Sequence, residues 1–488
     1  MMYGEEKSDS LIVAANLANN PQGAESVERR SGAKGNAEQP HMRRTQSRES
    51  MSQRLSRVRE AAKQRKKERF TALFHLLTAE ALENAFLSLS RKAAAGVDGV
   101  RWKDYAENLK VNIADLHRRL HQGSYRAQPG RRHYIPKADG KQRPLGIASL
   151  EDKIVQYALV KILNAVYEND FMGFSYGFRP GRSQHNALDA LATGLVRTNV
   201  NWVLDADISQ FFDKVSHEWL IRFIEHRIGD QRVIRLIRKW LTAGTSEEGE
   251  WRASEEGTPQ GAVISPLLAN IYLHYVFDLW AHQWRRRHAT GNVVMVRYAD
   301  DIVIGFDKRI DAQCFRIAMQ RRLKEFGLTV HPKKTRLMEF GRFAAENRAS
   351  RGKGKPETFN FLGFTHISGK DRSGRFMLIR KTRRDRMTAT LKAIKDGLRK
   401  RWHYSIPEQG KWLRRVVQGY LNYHSVPGNY PMMRKFRIYV TDLWRRALRR
   451  RSQQDDTTWT KANRLAAVWL PKVRVLHPWP VERFTARH

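Results

Sequence analysis

The chain has 488 residues, enough for two to four folded units, and 41% of them are hydrophobic, so a large core can be buried. Lys and Arg number 89 against 49 Asp and Glu, a formal net charge of +40 that exceeds what solubility requires and suits a polyanionic partner, of which nucleic acid is the commonest. A single cysteine, Cys314, excludes an intramolecular disulfide and a Cys-rich zinc module, and without an 18-residue apolar run or a signal-peptide pattern we expect no membrane span and a cytoplasmic protein.

Residues 1 to about 50 are rich in Ser, Asn, Gly, Gln and Glu without apolar period, and we expect them to be disordered. A basic helix is expected over 52–69, carrying Arg54, Arg57, Arg59, Lys63, Arg65, Lys66 and Lys67, before apolar periodicity starts at Phe70. Residues 131–147 alternate as two strands about Asp139-Gly140, a hairpin turn pair. A helix follows over 154–167, a buried strand over 202–207, and helices over 217–241. Pro266 starts a long helix over 266–288, and 293–306 reads as strand, polar turn and strand. Cys314 is expected to be a small core filler on a helix.

From Arg380 onward the pattern is almost wholly helical, with Trp412, Leu413, Val416, Val417, Tyr420 and Leu421 on one face. Residues 380–488 hold 27 Lys and Arg against 7 Asp and Glu, so half of the excess charge lies in this last segment. No internal repeat is evident.

The chemistry is concentrated at two strand ends. Val296-Arg297-Tyr298-Ala299-Asp300-Asp301-Ile302-Val303-Ile304 places adjacent carboxylates in a turn between apolar strands. Asp-Asp alone is an ordinary turn dipeptide. A second apolar strand, Val203-Leu204-Asp205-Ala206-Asp207-Ile208, also ends in carboxylates. Two such ends side by side can hold two divalent cations roughly 4 Å apart, the arrangement of two-metal phosphoryl transfer. Hard oxygen donors and a phosphate substrate indicate two Mg²⁺ ions.

Tyr298-Ala299-Asp300-Asp301 resembles the catalytic box of reverse transcriptases, and Asp207 with Ile208-Ser209-Gln210-Phe211-Phe212-Asp213 resembles their first palm motif. The resemblance implies that Asp207, Asp300 and Asp301 are catalytic and bind metal, with Ile208 counted at the metal site. Asp205 and Asp213 are expected to pair with basic side chains instead. Phe212 is the candidate gate against a ribose 2′-hydroxyl, with Phe211 as its alternative. Gly257-Thr258-Pro259-Gln260-Gly261 resembles the next palm motif, where glycines admit close backbone approach and Gln260 lines the nucleotide pocket. Lys137 and Arg143 flank the predicted hairpin turn and, by resemblance, grip the incoming deoxynucleoside triphosphate; a solvated basic hairpin is the plainer alternative. Lys334, within His331-Pro332-Lys333-Lys334-Thr335, is the candidate general acid, and Phe361-Leu362-Gly363-Phe364 resembles the hairpin that supports the primer end.

Phe174-Ser175-Tyr176-Gly177-Phe178-Arg179-Pro180-Gly181-Arg182-Ser183, Phe212-Asp213-Lys214-Val215-Ser216-His217 and Gly419-Tyr420-Leu421-Asn422-Tyr423-His424 resemble reverse transcriptase/maturases encoded in bacterial group II introns. This family implies an α+β right-hand polymerase with an antiparallel palm sheet and a helical thumb. The expected division is a disordered extension over 1–51, fingers over 52–200, palm over 201–372, a thumb or maturase domain over 373–451 and a basic tail over 452–488. Implied partners are an intron RNA template, a DNA primer or target, and deoxynucleoside triphosphates. Bound RNA is expected at Arg383, Arg384, Trp402, Trp412, Arg449 and Arg450. Many family members end in a cysteine-paired endonuclease module; no cysteine follows Cys314, so target-strand cleavage is not expected. A host-adapted reverse transcriptase and a splicing cofactor with a vestigial polymerase site are the alternatives.

Overall fold

The computed structural model describes residues 50–136, 142–247, 249–253, 255–451 and 457–485. Lys137 and the Asp139-Gly140 turn lie outside these residues, as does nearly all of the N-terminal extension. The strands in chain order are β1 (Gly130–Pro136), β2 (Gln142–Ile147), β3 (Trp202–Asp207), β4 (Thr245–Glu247), β5 (Glu250–Arg252), β6 (Val293–Tyr298), β7 (Asp301–Phe306), β8 (Arg336–Glu339), β9 (Phe359–Phe361), β10 (Phe364–Lys370) and β11 (Phe376–Thr382). They form three sheets, ordered β2-β1-β4-β5, β6-β7-β3-β8 and β11-β10-β9.

The basic N-terminal helix runs over Met51–Gln64, opened by a reciprocal capping box between Ser50 and Gln53. It stops short of the expected 69. The buried Arg227 guanidinium donates to the carbonyls of Ala62, Arg65 and Glu68, satisfying backbone acceptors that further helix would have used. Ala62 is fully buried, and the helix packs on the long central helix Leu150–Tyr167.

The antiparallel sheet β6-β7-β3-β8 is covered on both faces, and strand alternation assigns each residue to one of them. Leu204, Ala206, Met295, Ile302, Ile304 and Phe306 enter the larger core with helices Leu150–Tyr167 and Arg309–Glu325. Val203, Val294, Val296, Val303 and Met338 enter a second core with Gln184–Arg197 and with Phe361 and Phe364. Asp205, Asp207, Tyr298 and Asp301 share this second face by register, because Asp207 and Tyr298 are both Cα partners of Asp301.

The predicted helix over 266–288 is present as Ser265–Leu273, a π-helical turn His274–Asp278, and Leu279–Arg287. The helical pattern read from Arg380 onward begins later, because Arg380–Thr382 completes β11 and the helix starts at Arg384. Arg384–Arg399, Ile406–His424, Tyr430–Arg449 and Trp459–Trp469 then bundle around Leu413, Val417, Phe436, Val440 and Trp444. Cys314 lies on Arg309–Glu325 as expected, but it is exposed rather than core. The buried stripe is Asp311, Ala312, Phe315, Met319 and Leu323, and Cys314 falls to one side of it. No helix among the described residues is long and apolar enough to cross a membrane.

Candidate active site

The turn between β6 and β7 carries Ala299 at φ +57°, a left-handed conformation that bends the chain tightly and brings Asp300 to its tip. Antiparallel pairing with β3 then sets Asp207 opposite Asp301. Three predicted carboxylates therefore meet at one sheet end. Lys334 donates to Asp207 Oδ2 at 2.8 Å from a turn that is tied to β3, since His331 N donates to the Asp207 carbonyl at 2.7 Å. Ile208 is 2% exposed and its side chain enters the larger core, so only its backbone can face the site.

Electrostatics at this end are strained in one direction. Burial, then Asp300, Asp207 and Asp205, push the Asp301 carboxyl up to about 7. Burial and then Asp207 raise Asp300, while the charges of Arg143 and Lys334 oppose the rise. Asp205 is pushed up to about 6, mainly by burial; Arg336, 4.0 Å away and its Cα partner on β8, opposes this. Asp205 thus has the basic neighbour expected for it. Asp213 does not: it accepts from the Gln260 amide at 2.5 Å, while Lys214 beside it pairs with Glu256 at 3.2 Å.

A divalent metal fits this donor set by chemistry: hard carboxylate oxygens and an excess of negative charge. Among the described residues, no three His, Cys, Asp or Glu side chains are already closed around one point. Asp207, Asp300 and Asp301 would supply the ligands, with Lys334 now the cation on Asp207.

The Gly257–Gly261 loop is laid along the segment that follows β3. Gly257 N donates to Val215 O and Thr258 N to Phe212 O, both at 2.8 Å. Gly257 sits at φ +84°, where an added Cβ would come within 2.8 Å of the Phe212 carbonyl, so glycine is required there. Gln260 O accepts from Gly146 N at 2.6 Å, tying β2, and with it Arg143, to the same site. Phe211 is 2% exposed in the core, whereas Phe212 is half-buried at the surface. Of the two aromatics, only Phe212 keeps exposed surface.

The Asp300–Asp301 turn rests on a buried ion pair that the sequence motifs do not single out. Arg297 points to the opposite sheet face from Tyr298 and is fully buried with Asp278. Its Nε and Nη2 donate to Asp278 Oδ1 and Oδ2 at 2.7 and 2.6 Å. Further bonds reach Asn270 Oδ1 at 3.2 Å, Ser175 Oγ at 2.7 Å and the Ala299 carbonyl at 3.0 Å. The π-helical turn ends at Asp278; such turns occur frequently at functional sites. Two opposite charges, each inside an otherwise apolar buried run, were the available sequence signal.

The residues expected to bind RNA lie in or beside the C-terminal helices, and Arg383 is near enough to the sheet end for its charge to act on Asp205. Arg384, Arg449 and Arg450 are exposed, and Arg383 pairs with Asp385 at 2.7 Å. Trp402 lines a cavity with Lys395, Arg399, Arg446 and Arg450. Trp412 is not free to stack on a base: it packs against Gly397, where an added Cβ would lie 2.5 Å from its ring, and the Arg401 guanidinium covers it 4.4 Å from the ring centroid. Its indole serves interhelical packing.

Residues 135–366 match the family model described as reverse transcriptase (RNA-dependent DNA polymerase). Proteins of that family generally use divalent metal ions. Among curated relatives, protein YkfC of Escherichia coli is 43% identical over 206 residues, 41% of this chain and 54% of YkfC. The group II intron-encoded protein LtrA of Lactococcus lactis is 37% identical over 223 residues, 45% of this chain and 37% of LtrA. A putative COX1/OXI3 intron 1 protein of Saccharomyces cerevisiae is 26% identical over 393 residues, 67% of this chain and 46% of that protein. The chain spans about half or less of the length of these three relatives.

Proposed function

We propose, for a chain that carries a reverse transcriptase domain over residues 135–366 and resembles group II intron-encoded proteins, that it is an RNA-directed DNA polymerase that also binds its intron RNA to assist splicing. The single observation that carries the reading is the meeting of Asp207, Asp300 and Asp301 at one sheet end, with Lys334 on Asp207. In this reading the fold is a right hand, with fingers over 52–200, a palm over 201–372 and a thumb or maturase domain over 373–451. The reaction is attack of a primer 3′-hydroxyl on the α-phosphate of a deoxynucleoside triphosphate, releasing pyrophosphate.

Asp207, Asp300 and Asp301 would hold two Mg²⁺. When bound, these ions activate the attacking oxygen and offset charge on the leaving one. Arg143, joined by Lys137, neutralises the triphosphate. Phe212 closes the space beside the sugar, and Gln260, held by Asp213, borders the nucleotide. Lys334, whose ammonium donates to Asp207 Oδ2, would give the proton to departing pyrophosphate. Template and intron RNA are held largely through phosphate contacts along the basic C-terminal bundle.

Primer extension on an RNA template with Mg²⁺ tests the reading. Asp300→Ala with Asp301→Ala should abolish extension while leaving RNA binding and assisted splicing largely intact. Substantial residual synthesis would overturn the assignment.

A further inference from the structure

We propose that Phe178 is a nucleic-acid contact: with Tyr298 it forms an aromatic platform that holds the terminal nucleotide of the primer strand beside the catalytic carboxylates. The inference rests on the polymerase reading above and extends it to a residue outside the catalytic box.

Phe178 combines two features that oppose each other in a free protein. Its backbone is left-handed at φ +57°, which a bulky side chain adopts only at a cost, and its side chain is 52% exposed. The kink itself is imposed by its neighbours. Tyr176 N donates to Arg297 O at 2.8 Å, so the segment runs alongside β6. Gly177 lies against the catalytic turn, where an added Cβ would meet Ala299 N at 2.3 Å, and its carbonyl accepts from Asn270 Nδ2 at 2.7 Å. Arg179 turns inward to Glu168 and to the carbonyls of Met172 and Ser175. The chain must therefore bend at position 178, and glycine would bend there without strain. A half-exposed ring recovers little through burial. Strain held in place by surrounding structure is typical of functional sites.

The location narrows the ligand. The Phe178 ring centroid lies 6.2 Å from that of Tyr298, which shares a sheet face with Asp301 and Asp207. Phe212 and Gln260 flank the carboxylates from the β3 side. Phe178 lies beyond β6, at the other edge of the sheet. Tyr298 packs on the same core cluster as Leu362 of the β9–β10 turn and Tyr423, whose hydroxyl donates to the Leu362 carbonyl at 2.8 Å. The platform is thus set apart from the incoming nucleotide and faces the strand end it joins. Aromatic faces accept any base or sugar face, as a primer-end contact must.

The test compares Phe178→Gly and Phe178→Tyr with wild type. Binding of a recessed primer–template and of a blunt duplex of equal length is read by fluorescence anisotropy without nucleotide, alongside Tm and steady-state extension. Phe178→Gly relieves the backbone, so its Tm should hold or rise. Its Kd and KM for the recessed primer–template should rise about five- to hundredfold, the range for loss of one base–aromatic contact. Binding of the blunt duplex and KM for the deoxynucleotide should not move, and Phe178→Tyr should behave as wild type. A fall in Tm with recessed-end affinity unchanged would make Phe178 a packing residue and overturn the proposal. Equal losses on recessed and blunt duplexes would overturn it as well. If wild type makes no DNA in the parallel assay, the polymerase reading falls, and the binding comparison still decides whether Phe178 contacts a primer end.

Discussion

Removal of the Asp278 carboxylate is the most informative perturbation of the turn that carries Asp300 and Asp301. Asp278 and Arg297 are both fully buried and joined by two short charge-assisted bonds. Asp278→Ala leaves the guanidinium in the core with three neutral acceptors, Asn270, Ser175 and the Ala299 carbonyl. Breaking a buried pair by deleting one partner costs about 3–5 kcal/mol, because the remaining charge has neither water nor a counterion. At roughly 2–4 °C per kcal/mol for a large domain, Tm should fall by roughly 6–20 °C. Asp278→Leu combined with Arg297→Met removes both charges and should restore most of that loss. It does not restore the donor to Ala299 O, so the turn loses its anchor. The double variant should therefore regain stability yet extend primers slowly, with kcat reduced and primer affinity retained. Thermal unfolding and single-turnover extension, run at a temperature where every variant is folded, separate the two effects. A Tm loss below about 2 °C for Asp278→Ala would refute the energetic reasoning. Wild-type kcat in the double variant would refute the positioning role.

His366 is fully buried, stacked on Phe359 with ring centroids 4.8 Å apart, and burial followed by Arg380 pushes its pKa down to about 3. The folded state keeps it neutral while the unfolded chain binds a proton below about 6.5, so stability present above that pH is lost as pH falls toward 3, by up to about 2 kcal/mol between pH 6.5 and 5. Urea titrations of wild type and His366→Phe at both pH values should show the dependence reduced in the variant; an unchanged dependence would exclude His366 as its source. Phe212→Val should raise ribonucleotide incorporation relative to deoxynucleotide, whereas Phe211→Val should chiefly lower Tm because Phe211 is core; competition assays with both nucleotides decide. Arg449 and Arg450 are exposed, but the Arg451 guanidinium donates to the Tyr404 carbonyl. Arg449→Gln with Arg450→Gln should flatten the slope of log K against log salt for structured RNA by up to about 1.4 to 1.8, and an unchanged slope would move the RNA surface elsewhere.

Much of the site was legible without coordinates because its chemistry is local in the chain. An apolar run ending in carboxylates can only be a strand end that reaches a polar place, and Val203–Asp207 and Val296–Ile304 each state this within a few residues. Helix positions followed from apolar period and, at Pro266, from a helix-starting proline. What the sequence could not decide is every feature set by a residue distant in the chain. Arg227 ends the N-terminal helix from more than 160 positions away, and Arg297 finds Asp278, Asn270 and Ser175 only after β6, the 265–287 helix and the Phe174–Gly177 segment have packed together. Trp412 reads as a candidate base-stacking aromatic until Gly397 of a neighbouring helix admits its ring. Cys314 reads as core until the stripe through Ala312, Phe315 and Met319 turns it outward. Periodicity and strand-end charge are written in neighbouring residues, whereas burial of a particular side chain, its partner and its strain depend on which surfaces meet, and only the assembled chain brings those surfaces into contact.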